Sequence, residues 1–119
     1  MIPRRMALLE ITVDQRGDAT VVALSGELDI SSAGRVEQEL ARAENRAPPV
    51  LVLDLSGLAF MDSTGLRIVV GADARARKRG GRLTVVRGPE PVQRVFRITR
   101  LDERLTMADS ADEARAAAA

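Results

Sequence analysis

Leu9, Ile11 and Val13 alternate with Glu10, Thr12 and Asp14, the two-residue period of a half-buried strand. Arg16-Gly17-Asp18 is a turn signal, and Ala19–Leu24 follows as a nearly continuous apolar run, so the first two strands are expected to form a hairpin. The period then changes. Ala33, Val36, Leu40 and Ala43 keep three- and four-residue spacing behind Ser31 or Ser32, either of which can cap the helix they predict. Pro48-Pro49 closes that segment. Val50–Leu55 is apolar at every position except Asp54, as in a strand covered on both faces.

A second helix is predicted after Ser63, with Leu66, Val69 and Val70 inward and basic residues toward its end, where they suit the helix dipole. Gly80-Gly81 stops it, and Arg82–Val86 supplies another strand. Pro91 fits the first turn of a third helix buried through Val92, Val95 and Phe96. Leu101–Met107 reads as a short edge strand. Ser110-Ala111-Asp112-Glu113 has capping-box spacing ahead of an Ala-rich last helix. The order β-β-α-β-α-β-α-(β)-α predicts an α/β fold: a mixed sheet of four to five strands, parallel pairs joined by right-handed crossovers, and about four helices packed mainly on one face. Residues 1–119 form one domain, with 1–7 expected to be flexible and 116–119 a frayed tail.

Composition narrows the chemistry. The 119 residues, 45% hydrophobic and 29% charged, match a globular domain rather than a disordered chain. There is no Cys, hence no disulfide, thiolate nucleophile or sulfur metal site. His is absent too, which removes the usual general base and the commonest metal ligand. No catalytic residue, metal or cofactor is expected. Phe60 and Phe96 are the only aromatics, too few for a nucleic-acid surface built on stacked bases. No apolar run approaches the ~18 residues of a membrane span. Met6–Leu9 is too short for a secretory core, so the expected location is the cytoplasm.

A net charge of +1 gives no global steering, but its distribution is uneven. Six basic residues against two acids lie between Asp62 and Arg82, and acids dominate from Asp102 to Arg115. The basic run is either a solvated helix end or a rim for docking a partner.

The chemistry concentrates at Met61-Asp62-Ser63-Thr64-Gly65-Leu66. There a strand gives way to a helix whose first N–H groups lack intrahelical acceptors and whose dipole favours negative charge. Ser63 or Thr64 can serve as the cap; equally, Asp62 can cap and leave Ser63 exposed. A phosphate on that hydroxyl would change what the surface offers a partner at modest internal cost. Gly65 is unexpected, since glycine in a helix costs about 1 kcal/mol relative to alanine. It either admits another backbone closely or relieves a tight turn.

Phe60–Leu66 resembles the signature of the STAS-domain anti-sigma factor antagonists of bacteria. Leu24-Ser25-Gly26-Glu27-Leu28-Asp29 is similar to the family's L-x-G-x-L-D segment, and Leu53-Asp54-Leu55-Ser56-Gly57-Leu58 to its third-strand segment. Gly80–Leu83 and Val92–Phe96 match its later strand and helix, so the likeness runs from about Leu9 to Ala114. One departure is Arg100, where members often carry Gly; it bears on how the third helix ends.

The resemblance implies a non-enzymatic phosphoprotein of a partner-switching system. Its partner would be an anti-sigma factor that is also a serine kinase of histidine-kinase-like ATPase fold, which the unphosphorylated form sequesters, releasing a sigma factor for transcription. Phosphorylation of the serine after the motif's aspartate, Ser63 here with Thr64 as runner-up, would end the complex, and a PP2C-type phosphatase would restore it. Asp29, Asp62, Ser63, Thr64, Gly65 and Arg67 would form the partner-binding surface. Nucleic acid and membrane would not be direct partners. A structural STAS subunit of a lipid or solute transport complex is the alternative, and it need not be phosphorylated at Ser63. A small nucleotide hydrolase is disfavoured, for want of a G-x-x-x-x-G-K-[ST] loop and of a His base.

Overall fold

The computed structural model describes residues 8–118. The expectation for residues 1–7 lies outside them. Strand β1 (Leu9–Arg16) pairs antiparallel with β2 (Ala19–Leu28), as the alternation predicts, with Arg16 opposite Ala19 across a two-residue turn. Parallel pairs β2–β3, β3–β4 and β4–β5 follow, where β3 is Val50–Met61, β4 Arg82–Val86 and β5 Met107–Ala108. The five strands lie in chain order. Crossovers that keep one hand between strands added in sequence must fall on one face of the sheet. Helices α1 (Ala33–Asn45), α2 (Ser63–Lys78) and α3 (Glu90–Ile98) do so, packing Val36, Leu40, Val69, Ala72, Val92 and Phe96 against Leu51, Leu53, Leu55 and Val85.

The last helix, α4 (Ala111–Ala118), covers the other face, where Ala114 meets Val50, Val52 and Val86. The doubly apolar β3 is thereby explained: its odd residues serve one core and its even residues the other, until Asp54. The capping box forms, with the Glu113 amide donating to Ser110 Oγ at 3.0 Å and Glu113 Oε1 accepting from the Asp109 amide at 3.0 Å.

Local differences from expectation have physical causes. Strand β2 does not stop at Leu24 but continues to Leu28 through register shifts on either side of Ser25-Gly26. Gly26 sits at φ +113°, and a Cβ there would overlap the Leu8 carbonyl oxygen, so only glycine fits. The buried face of α2 is Gly65, Ile68, Val69, Ala72 and Ala76. Leu66 is only partly buried and Val70 is exposed, because both lie at the shoulders of a 3.6-residue period centred on Ile68 and Val69. Leu101–Met107 is not a strand. Leu101–Glu103 forms a 3₁₀ turn, Leu105 drops into the core, and only Met107 and Ala108 reach β4. Helix α3 ends without glycine: Arg100 takes the left-handed conformation at φ +62° and its amide donates to the Arg97 carbonyl at 3.0 Å.

Candidate functional site

Parallel pairing brings the carboxyl ends of β2 and β3 together. Leu28 pairs with Met61, and the next amide, that of Asp62, donates to the Leu28 carbonyl at 3.3 Å. Asp29 and Asp62 therefore leave neighbouring strands at the same edge. Two segments 33 residues apart in sequence make one surface.

Asp62 is the N-cap of α2. Its backbone is extended (φ −107°, ψ −168°), and Oδ1 accepts from the Thr64 amide at 2.9 Å and the Gly65 amide at 3.4 Å. These are two of the donors that a helix start leaves without partners. Of the two capping alternatives open in the sequence, the aspartate is the one adopted. Ser63 is the first helical residue and is exposed; its hydroxyl takes no part in the cap. Thr64 is half-buried, and Arg67, one turn on from Ser63, is exposed.

Gly65 is buried against the sheet. An added Cβ would overlap Met61 Cγ and lie 2.9 Å from Leu28 Cδ2, so side chains, not another backbone, demand the glycine. It lets α2 start close against β2 and β3, and this holds Ser63 at the strand edge.

Asp29 accepts from the Ser31 amide at 2.9 Å and from Ser31 Oγ at 2.6 Å. These bonds, the hydroxyl's first, hold its carboxyl below the ordinary carboxylate value. Neither serine caps α1 by its side chain. Ser32 occupies the cap position, but its hydroxyl donates to the Glu27 carbonyl at 3.0 Å and accepts from the Asp29 amide at 3.1 Å. The loop is thus pinned by its own polar groups and turns Ile30 outward, 81% exposed. Sequence reasoning passed over Ile30; the signal was an aliphatic residue enclosed by Asp29 and Ser31-Ser32, outside any helical or strand period.

Chemically the edge offers an exposed hydroxyl, two carboxylates already engaged by local donors, a guanidinium and an aliphatic side chain. Asp62 Oδ1 is engaged by the Thr64 and Gly65 amides, while the Ser63 hydroxyl beside it is exposed. Among the described residues no group of three or more acidic side chains could hold a metal ion, and no helix is long and apolar enough to cross a membrane.

Comparison with known proteins gives the same architecture. A family model described as "Mlab, STAS domain" matches residues 11–108. The chain is 33% identical over 89 residues to an anti-sigma F factor antagonist of Paenibacillus polymyxa, across 74% of this chain and 76% of the relative. It is 31% identical over 96 residues to an anti-sigma-B factor antagonist of Listeria monocytogenes, across 80% and 84% respectively. The crystal structure of an anti-sigma factor antagonist from Mycobacterium paratuberculosis superposes with a TM-score of 0.85 at 31% identity, covering 92% of this chain and 93% of that one. The chain belongs to the STAS-domain family of anti-sigma factor antagonists.

Proposed function

We propose that this protein is a binding regulator whose unphosphorylated form sequesters an anti-sigma factor serine kinase of histidine-kinase-like ATPase fold, freeing a sigma factor for transcription. Phosphorylation of Ser63 ends the complex, and a PP2C-type phosphatase restores it. The observation that carries this reading is an exposed Ser63 hydroxyl at the head of a helix that Asp62 has already capped. Because the hydroxyl has no structural duty in the cap, it can be modified without taking a bond from the fold.

In the transfer, a bond forms between Ser63 Oγ and the γ-phosphorus of ATP as the bond to the β–γ bridging oxygen breaks. ADP leaves, and the serine proton passes to a base on the kinase. The product carries about −1.5 to −2 charges at pH 7. Within this chain the helix dipole offsets part of that charge, and Arg67, at i+4, lies on the same side of α2. At a docked surface the dianion must shed water and face the kinase's acidic groups or its nucleotide phosphates. A loss of about 3 kcal/mol there is a ~100-fold loss of affinity. Asp29, Asp62, Thr64 and Arg67 border the hydroxyl and complete the docking surface, while Gly65 contributes by seating the helix.

The experiment is incubation with candidate anti-sigma factor serine kinases and ATP, followed by mapping of the modified peptide. Modification at Ser63 is expected, with Thr64 second. Modification confined to peptides lacking both residues removes the site assignment. Partner retention that ignores the state of Ser63 favours a structural STAS subunit of a transport complex instead.

A further inference from the structure

Helices α1 and α2 do not close fully on one another. Between them runs a trough of about 540 Å³, within the roughly 300–1,000 Å³ typical of pockets that take ligands. Its far end is shut by a two-pronged ion pair, in which Arg75 donates to Glu44 at 2.7 and 3.0 Å. Its near end opens beside Thr64, immediately next to Ser63, with Ile30 standing 81% exposed at the mouth. Arg67 from α2 and Glu37 from α1 flank this open end, and neither is ion-paired among the described residues.

The floor is kept low by Gly71. This glycine sits in the middle of a 16-residue helix, where it costs about 1 kcal/mol relative to alanine. Unlike Gly65 it faces no core side chain: an added Cβ would meet only the Arg75 guanidinium, at 3.2 Å.

We propose that this trough is the second half of the docking surface, and that it receives an amphipathic helix of the anti-sigma factor. That helix would set an aliphatic side chain against Ile30, Ala33 and Ile68, with a carboxylate toward Arg67 and a basic group toward Glu37. The inference rests on the reading of Ser63 as the partner's modification site, and deepens it. Two observations select this occupant. The trough is continuous with the Ser63 edge through Thr64 and Arg67, so a partner reaching the hydroxyl already stands over its mouth. The open rim also carries a guanidinium and a carboxylate, each outside any ion pair among the described residues, beside an apolar floor, which complements an amphipathic segment rather than a free anion. Ser63 would then govern on or off, and the trough would govern which partner.

The test uses a kinase that binds the wild-type chain, with Kd measured by calorimetry for Gly71→Leu, which fills the trough, and Glu37→Arg, which reverses one rim charge on the surface. Ile98→Ser, exposed on α3 away from the trough, is the control. Thermal midpoints of all three establish that the fold is intact. Both trough variants are expected to bind at least 10-fold more weakly, and the control within twofold of wild type. Wild-type affinity in both trough variants, alongside lost binding by Ser63→Asp, overturns the trough assignment while sparing the function. If Gly71→Leu leaves kinase affinity unchanged but abolishes self-association in sedimentation, the occupant is a second copy and the proposal fails. Absence of binding by wild type to any such kinase removes the functional reading itself, a different result from either.

Discussion

Asp62 and Ser63 are adjacent residues with opposite duties. One carboxylate oxygen holds the first amides of α2, and the neighbouring hydroxyl is left out. Asp62→Ala should therefore lower stability by about 1 kcal/mol, the usual cost of a lost cap, measured by urea unfolding. Ser63→Ala should stay within about 0.5 kcal/mol of wild type, as for a surface position, while abolishing phosphorylation. Asp29 adds a pH signature. Its carboxyl is held below the ordinary value of 3.8 by Ser31, so the folded state favours the ionised form. That contribution is complete above the ordinary value and is lost as pH falls through the depressed one. Ser31→Ala should return the Asp29 titration, followed by NMR, toward 3.8, and any loss of stability should vanish at strongly acidic pH. An unmoved titration midpoint would mean that the Ser31 hydroxyl is not the cause.

At the scale of elements, periodicity located the helices well and their boundaries and faces less well. The spacing of Ala33, Val36, Leu40 and Ala43 matched the buried face of α1 residue for residue. In α2 the run Leu66-Arg67-Ile68-Val69-Val70 offers apolar residues on too many sides for the inward arc to be read, and packing against the sheet selected Ile68 over Val70. Helix α3 ends on a left-handed arginine, a conformation that costs roughly 1–2 kcal/mol for a residue with a Cβ. Arg100→Gly should relieve it and raise stability by about 1 kcal/mol, seen as a higher urea midpoint at unchanged slope. A fall in stability would show that the Arg100 side chain contributes more than its backbone costs.

For the whole molecule, the relevant fact is the separation of the core from the edge that carries Ser63. One face of the sheet packs against α1, α2 and α3 and the other against α4, whereas Ser63, Asp29 and Ile30 stand at the strand edge. Ser63 is exposed, so a charge added there would be borne at the surface. Ser63→Asp should weaken kinase binding by about 100-fold, near 2.7 kcal/mol, and leave the thermal midpoint within about 2 °C of wild type. A large drop in that midpoint would replace charge repulsion with local unfolding as the basis of the switch.

Alternating and 3.6-residue patterns and the Pro and Gly stops were enough to establish an α/β domain with a hydroxyl at the start of its second crossover helix. These are properties of short stretches, and local sterics and burial settle them. Which residue caps that helix, why Gly65 is required, how far β2 runs, and that Ile30 stands with Thr64 at one edge all depended on packing between segments distant in the chain. Pairing of Leu28 with Met61 brings those segments together, and no local pattern encodes a contact made across 33 residues. The trough above Gly71 is of the same kind, for a glycine reveals unfilled space only once its neighbours are in position.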